Sequence, residues 1–248
     1  MERTVTLHVK RSGGSPEPAP SWQRFPVPWS EEQMSVLDAL LWVQRNADLS
    51  LAFRCACRVG MCGTCGMVIN GREGLACRTL LRRIARGGEP EVRLEPMRHL
   101  PVVKDLATDM DPFFARYRKV VPHLVPRDGD GAPATIPPTA RERRLIDPQR
   151  ECIACGLCYS ACDVAGMEGG FLGPAALNRA FVLTMDSRDA AAQRRLNVVA
   201  GEDGLWRCHT LFECAAVCPK GISPALAIQG LKRKVVGQRL KRLVRLGR

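Results

Sequence analysis

The stretch that decides the fold runs from Ser50 to Cys77 and reads SLAFRCACRVGMCGTCGMVINGREGLAC. Four of its cysteines follow the spacing C-x4-C-x2-C…C, and they are Cys57, Cys62, Cys65 and Cys77. This is the ligand spacing of a plant-type [2Fe–2S] cluster, which four thiolates hold. Three glycines among them, Gly60, Gly63 and Gly66, allow a tight loop whose backbone N–H groups point at negatively charged sulfides. We therefore predict a [2Fe–2S] site in this loop.

Zinc is the alternative for this first group, because four thiolates also suit a tetrahedral zinc ion. A structural zinc site normally draws its ligands from two short knuckles, whereas three of these cysteines crowd one loop. The iron–sulfur interpretation is therefore favoured. Cys55 is left over, because its interval to Cys62 does not fit the spacing.

The flanking sequence predicts a small mixed sheet crossed by one helix. Alternating apolar residues over Thr4 to Lys10 indicate a half-buried strand, and a second strand is expected near Phe25. Helical spacing predicts a helix over residues 31–46, with Ser30 as its N-cap. Met67 to Ile69 followed by Asn70-Gly71 is typical of a strand entering a tight hairpin. These elements define a predicted first domain, residues 1–105.

Beyond residue 105 the pattern becomes helical, and strand-like alternation is absent. The predicted helices cover residues 111–119, 139–145, 154–162, 174–185, 189–199 and 224–236. Ser223 and Pro224 predict the start of the last one, since proline is favoured at the first helical position. We predict a second, all-helical domain over residues 106–248.

The remaining cysteines form a second constellation within these helices. Cys152-x2-Cys155-x2-Cys158-x3-Cys162 is the first half of a bacterial two-cluster pattern, in which the fourth cysteine of a run ligates the other cluster. The second run has cysteines at 208, 214 and 218, but Leu211 at the remaining position. Crossing the fourth cysteines gives a full [4Fe–4S] set, namely Cys152, Cys155, Cys158 and Cys218. It leaves three thiolates for a [3Fe–4S] cluster, namely Cys162, Cys208 and Cys214.

Composition narrows the class of protein. The chain has 248 residues, 46% of them hydrophobic, and contains no apolar run of about 18 residues that would indicate a membrane span. Its first residues lack the apolar core of a secretory signal. Twelve cysteines are therefore expected in a reducing compartment, where clustered thiols bind metal more often than they form disulfides.

The net charge of +12 is concentrated at the end of the chain. Residues 231–248 hold eight Lys or Arg and no acidic residue. Such a basic tail suits an anionic membrane surface or nucleic acid, and a solvated helix end is the simpler alternative.

Three clusters in one small chain predict electron transfer between two sites that the chain does not itself contain. No Gly-x-Gly-x-x-Gly dinucleotide motif is present, so flavin or nicotinamide chemistry is expected on a partner. An iron–sulfur redox sensor that binds nucleic acid is the weaker alternative, because a sensor needs one labile cluster and not three.

The cysteine order and several segments resemble the iron–sulfur subunit of succinate dehydrogenase and fumarate reductase, respiratory complex II. Besides residues 50–77, the similar segments are CIACGLCYSAC (152–162), FLGPAAL (171–177), DSRD (186–189) and CHTLFECAAVCPKGISP (208–224). The resemblance covers almost the whole chain. It implies an α+β fold, with an N-terminal β-grasp plant-type ferredoxin domain followed by an all-α bacterial-type ferredoxin domain.

The resemblance also implies function and partners. The chain would pass electrons from an FAD-containing flavoprotein, which carries the dicarboxylate chemistry, to quinone at a haem-bearing membrane anchor. His209 would lie by the quinone site, although a lone histidine is often a packed or capping residue. The tryptophan pair that many relatives have after the position of Cys162 is absent. The implied location is peripheral, on the cytoplasmic face of a bacterial plasma membrane or the matrix side in mitochondria, with no nucleic acid partner. Quinol:fumarate reductase and a subunit of another flavoprotein dehydrogenase are the alternatives.

Overall fold

The computed structural model describes residues 3–13, 19–29, 32–85, 90–127, 135–167 and 169–246. The strands are β1 (Thr4–Arg11), β2 (Ser21–Pro28), β3 (Gly66–Ile69), β4 (Arg72–Leu75), β5 (Glu91–Glu95), β6 (Val102–Lys104) and β7 (Ala107–Thr108). The helices are α1 (Val36–Asn46), α2 (Leu81–Ile84), α3 (Asp111–Lys119), α4 (Arg141–Arg150), α5 (Leu157–Ser160), α6 (Asp163–Gly166), α7 (Pro174–Met185), α8 (Ala192–Val199), α9 (Glu213–Ala216) and α10 (Pro224–Leu246). Leu205–Arg207 form a 3-10 turn.

Five strands form one mixed sheet in the order β2-β1-β5-β3-β4. β1 is antiparallel to β2 and parallel to β5, and its alternate residues Val5, Leu7 and Val9 are fully buried, as the sequence pattern predicts. Asn70 and Gly71 join β3 to β4 and both have left-handed backbone angles, as a two-residue hairpin turn requires. This hairpin confirms the sequence prediction and carries the end of the first cysteine group.

The helix that packs on this sheet begins later than predicted. It starts at Val36, five residues after the predicted start, while the proposed cap Ser30 lies outside the described residues. Ser35 is the N-cap: its hydroxyl accepts from the Asp38 N–H, and the Asp38 carboxylate accepts from the Ser35 N–H. This reciprocal capping box satisfies two free donors and fixes the start.

The chain divides into two compact units. The first comprises residues 1–112 together with 153–161, and the second comprises residues 113–152 with 162–248. The sequence predicts the bounds of α3 and α7 correctly. It misses the two-stranded sheet of β6 and β7, which is too short for an alternating pattern to stand out.

The second unit packs its core between α7, α8 and α10. Leu177, Phe181, Leu196, Ile228 and Leu231 are buried together there. Below this core lies a fully buried ion pair between the Arg195 guanidinium and the Asp189 carboxylate.

Each member of the buried pair makes further hydrogen bonds to the backbone. Arg195 donates to the carbonyl oxygens of Val121 (2.9 Å) and His123 (2.6 Å). Asp189 accepts from the N–H groups of Val125 and Ala191. Because both charged groups also have hydrogen-bond partners, these contacts offset much of the free energy that removing the pair from water costs.

The last helix is longer than the sequence predicts. It continues to Leu246, ten residues past the expected end, even though Gly237 lies in its middle. The residues after Gly237 are mostly Leu, Lys, Arg and Gln, which favour a helix and offset the cost of one glycine. Within the described ranges, no helix combines the length and apolar character needed to cross a membrane.

Candidate iron–sulfur sites

The first cysteine group is assembled by the β3–β4 hairpin. Gly66 pairs with Leu75 at the open end of this hairpin, and the Ala76 N–H donates to the Cys65 carbonyl oxygen at 3.0 Å. Cys65 and Cys77 are therefore neighbours, and their thiols interact. Cys57 and Cys62 form a second interacting pair of thiols earlier in the same loop. The structure thus brings all four predicted residues into two pairs within one unit.

The backbone of this loop is arranged around the Cys57 sulfur. The Met61 and Cys62 N–H groups each donate to Cys57 Sγ at 3.3 Å. Hydrogen bonds from the Cys62 and Val59 backbone favour the thiolate and lower the pKa of Cys57 to about 6. Cys65 differs, because burial and, to a smaller extent, the thiols of Cys77 and Cys62 together raise its pKa to about 12. Backbone donors aimed at sulfur are the arrangement that a negatively charged cluster needs.

A glycine allows this loop to approach the segment around Cys155 within the same unit. Gly63 has a left-handed φ of +72°, and a Cβ placed there would lie 2.5 Å from Cys155 Cβ and 3.0 Å from its Cα. Gly60 is also left-handed at +74° and lies against the stem of Arg78. Both positions therefore favour glycine because of their left-handed backbone angles. Gly63 also needs to lack a Cβ because the Cys155 backbone is so close.

The segment 153–161 is tied to the sheet by a buried polar contact. Ser160 Oγ donates to Glu73 Oε1 on β4 at 3.0 Å and accepts from the Arg98 N–H at 2.8 Å. Ser160 and Glu73 are both buried. This contact fixes the segment that carries Cys155 and Cys158 relative to the hairpin that leads to Cys77.

The second constellation contains a site that lies wholly within one unit. Cys162, Cys208 and Cys214 line one small cavity of about 30 Å³. Burial, together with the nearby thiols of Cys162 and Cys208, raises the pKa of Cys214 to about 11. Burial also raises the pKa of Cys162, with a contribution from Cys208. The three thiols are therefore close enough to interact mutually.

The segment between Cys208 and Cys214 has an unusual backbone. Thr210 and Phe212 both have positive φ angles, +61° and +64°, which residues other than glycine seldom adopt. Leu211 lies between them, lines the cavity with the three cysteines and is 57% exposed. No sequence signal marks these two angles, because neither residue is Gly or Asn.

α10 holds this segment in place. Gln229 donates to the Thr210 hydroxyl at 2.6 Å, and Lys232 Nζ donates to the Cys208 carbonyl oxygen at 2.9 Å. His209 is exposed and also lines the cavity. The structure therefore places His209 beside the three-cysteine site.

The remaining cysteines are divided between the two units. Cys155 and Cys158 belong to the first unit, whereas Cys152 and Cys218 belong to the second. Cys55 is a partly buried free thiol.

The donor sets fit iron–sulfur clusters in number and kind. Within the part of the chain that the structure describes, no three His, Cys, Asp or Glu side chains are placed to share one metal ion. Clusters instead spread their thiolates over several irons, and two thiol pairs match a centre with two irons. At the second cavity Leu211 offers no donor atom, so three thiolates are the full sulfur set there.

Comparison with known proteins agrees with this order of sites. Residues 6–115 match the family described as a 2Fe-2S iron-sulfur cluster binding domain, and residues 148–222 match the 4Fe-4S dicluster domain. The two domains thus occur in the predicted order, with the mixed sheet in the first matched region and helices in the second.

Similar whole proteins cover the chain almost completely. The fumarate reductase iron-sulfur subunit of Mycobacterium tuberculosis is 41% identical over 98% of this chain and 97% of that protein. A mitochondrial succinate dehydrogenase [ubiquinone] iron-sulfur subunit from Oryza sativa is 38% identical over 93% of this chain and 82% of its own length. A solved chain of the Mycobacterium smegmatis Sdh1 complex in the apo form superposes with a TM-score of 0.86 at 26% identity, covering 97% and 98% of the two chains. The chain belongs to the family of succinate dehydrogenase and fumarate reductase iron–sulfur subunits.

Proposed function

We propose that the chain is the electron-transfer subunit of a succinate:quinone oxidoreductase. The observation that carries this proposal is the cavity where Cys162, Cys208 and Cys214 converge and Leu211 occupies the fourth position. Three thiolates with an apolar leucine at the fourth position of the cysteine spacing suit a [3Fe–4S] cluster, and this site accompanies a four-thiol loop typical of [2Fe–2S]. Membership of the family supplies the reaction class.

We assign three clusters to eleven of the twelve cysteines. A β-grasp plant-type ferredoxin domain would hold [2Fe–2S], and a bacterial-type helical domain from residue 106 onward would carry the other two clusters. The ligand sets are Cys57, Cys62, Cys65 and Cys77 for [2Fe–2S]; Cys152, Cys155, Cys158 and Cys218 for [4Fe–4S]; and Cys162, Cys208 and Cys214 for [3Fe–4S]. When bound, these clusters supply one-electron carriers whose different types allow a graded series of potentials.

The protein's own groups prepare these sites in different ways. Backbone N–H groups already stabilise the Cys57 thiolate, so this ligand needs no base to lose its proton near neutral pH. Cys65 and Cys214 have raised pKa values and must release protons when metal binds. Leu211 keeps the fourth position of the last site free of donor atoms.

The partners follow from the same proposal. An FAD-containing flavoprotein would deliver electrons, and a membrane anchor with haem would present quinone. His209, exposed beside the three-cysteine cavity, is proposed as a hydrogen-bond partner of the quinone. The complex would sit on the cytoplasmic face of a bacterial membrane, or the matrix side in mitochondria. No nucleic acid is involved.

A second candidate function is quinol:fumarate reduction, which uses the same subunits in the opposite direction. The name of the Mycobacterium tuberculosis relative favours it, since that protein is called a fumarate reductase subunit. Rates of succinate-dependent quinone reduction and of quinol-dependent fumarate reduction by the purified complex separate the two. Neither rate would be significant if the chain served a different flavoprotein dehydrogenase.

Iron content tests the three-cluster assignment. Two, four and three irons predict about nine per chain in the intact complex. Zinc in place of iron, or only about six irons, would remove at least one cluster from the assignment.

The substitution Leu211→Cys tests the last site directly. A thiolate at this position completes four ligands and should convert [3Fe–4S] to [4Fe–4S], with a lower potential because negative charge is added. EPR of the oxidised wild-type complex should show a [3Fe–4S] signal that the variant loses. Leu145→Cys, which replaces an exposed leucine on α4, is the matched control and should keep the signal. A wild type without this signal, or a variant that retains it, contradicts the ligand assignment.

A further inference from the structure

The outer half of α10 presents an apolar strip to solvent. Val236, Leu240, Leu243 and Val244 form this α10 strip, and their exposed fractions are 42%, 57%, 66% and 65%. Their spacing of four, three and one residues places them on one side of the helix. All four stay exposed in the described part of the chain, although large apolar side chains on one face are costly to leave in water.

The strip continues a face of α10 whose earlier residues form hydrogen bonds with the rest of the second unit. Gln229 and Lys232 contact the Cys208–Thr210 segment, and Val236 follows Lys232 by four residues on the same face. Trp206, itself 44% exposed, lies next to this region, with the Arg239 guanidinium 5.9 Å from its ring centroid. Tryptophan is favoured where an apolar layer meets water. Trp206 therefore adds an exposed aromatic side chain beside the outer half of α10.

The charged groups on the outer half of α10 all have one sign. Arg239, Lys241 and Arg242 are exposed, and the sequence contains no acidic residue from 231 to 248. Arg239 and Arg242 also line an open groove of about 510 Å³ between α8 and α10, together with the amide side chains of Gln193, Asn197 and Gln238. An interface with a protein usually pairs charges of both signs, whereas a helix that carries only basic residues beside an apolar strip complements a surface of phosphate groups.

We infer that the α10 strip lies in the interfacial layer of a bilayer that contains anionic lipids. The four apolar side chains would enter the acyl boundary, and the arginines on the flank of the helix would meet lipid phosphates. This inference rests on the proposed function only in placing the chain at a membrane. It adds a direct contact between this chain and lipid, separate from any anchor subunit.

Co-sedimentation of the purified, cluster-loaded chain with vesicles tests this inference. Vesicles of phosphatidylcholine and phosphatidylglycerol in equal parts should bind the wild type, and vesicles of phosphatidylcholine alone should bind it weakly. Leu240→Gln with Leu243→Gln should weaken binding to the mixed vesicles by at least about tenfold. Arg239→Gln with Arg242→Gln should weaken it by about 30-fold, and added salt should have the same effect on the wild type.

Matched control variants distinguish this contact from nonspecific binding through any exposed apolar or basic side chain. Leu49→Gln removes a leucine that is 85% exposed in the first unit, and Arg82→Gln with Arg83→Gln removes two exposed charges there. Both controls should bind mixed vesicles like the wild type. Equal loss in the controls, or no binding by the wild type, overturns the inference. Binding by the anchor subunit that the strip variants lose, without vesicle binding, would assign the strip to a protein partner and also overturn it.

The outcome is independent of the proposed electron transfer. Iron content and EPR spectra of the strip variants should equal those of the wild type, because the α10 strip holds no proposed ligand. Vesicle binding by a chain whose complex fails to oxidise succinate or reduce fumarate would contradict the proposed function and leave the lipid contact supported.

Discussion

The two cysteine sites that each lie within one unit differ in what surrounds the sulfur. In the first, backbone N–H groups point at Cys57 and lower the pKa of its thiol to about 6. In the second, burial dominates and raises the pKa of Cys214 to about 11. The difference shows two ways to set the ionisation of a cysteine ligand. Backbone N–H groups stabilise the thiolate before metal binds, whereas a thiol buried in an apolar cavity stays protonated until metal binds.

The largest expected effect is on thiol reactivity in the iron-free chain. At pH 8 Cys57 should be almost entirely thiolate, whereas about one Cys214 in a thousand should be. Alkylation at Cys57 should fall as the pH drops through about 6, since its thiolate is present above that pH. Cys214 should stay unreactive until the pH approaches 11. Site-resolved mass spectrometry after brief iodoacetamide treatment checks this, and equal labelling of the two residues would remove the contrast.

The next largest effect is on the stability of the second unit, which contains the buried Arg195–Asp189 ion pair. Arg195→Met leaves the buried Asp189 carboxylate without its cation and should lower the free energy of unfolding by about 3–5 kcal/mol. The [3Fe–4S] EPR signal should be lost while the [2Fe–2S] signal persists, because only the second unit contains this pair. The control Arg24→Met breaks an exposed ion pair with Glu91 and should change stability by less than about 1 kcal/mol. Loss of both EPR signals in Arg195→Met would show that the two sites do not depend on separately folded units.

A smaller effect is expected from a pair of glycines in the first unit. Gly63→Ala combines a left-handed φ with a contact at 2.5 Å and should cost about 1–3 kcal/mol more than Gly71→Ala. Gly71 has a similar φ but open space around it, so its substitution isolates the cost of conformation. Thermal unfolding and the [2Fe–2S] signal should both be affected more at Gly63. Equal effects would mean that the close approach to Cys155 does not matter.

The smallest effect compares two glycines of α10 in the second unit. Gly237 has open space around it, so Gly237→Ala should stabilise the helix by about 1 kcal/mol. A Cβ at Gly230 would lie 2.6 Å from the Phe181 ring, so Gly230→Ala should instead destabilise the core. Denaturant titrations of the two variants should shift in opposite directions. Stabilisation at both positions would show that the core around the second site is loosely packed.

Elements with local signals were predictable from sequence. Alternation defines β1, the Asn70-Gly71 pair defines the hairpin, and Pro224 marks the start of α10. The predicted start of α1 is wrong, although a local signal is present: Ser35 and Asp38 have the spacing of a capping box.

Features set by long-range contacts could not be predicted. The grouping of residues 153–161 with the first unit depends on Ser160 meeting Glu73, which is 87 residues away. The burial of Arg195 depends on carbonyl groups more than 70 residues distant. At the sites themselves, cysteine spacing predicts which thiols converge, but not whether backbone donors or burial will govern their ionisation.

The absence of a side chain at Gly63 has a further consequence for electron movement. Electron tunnelling slows steeply as the gap between two carriers widens. Gly63 lets the loop of the first thiol set press against the backbone of Cys155, a proposed ligand of the next cluster. A side chain at this position would push the loop away from Cys155, so the single hydrogen atom of Gly63 keeps the gap between these two segments of the first unit short.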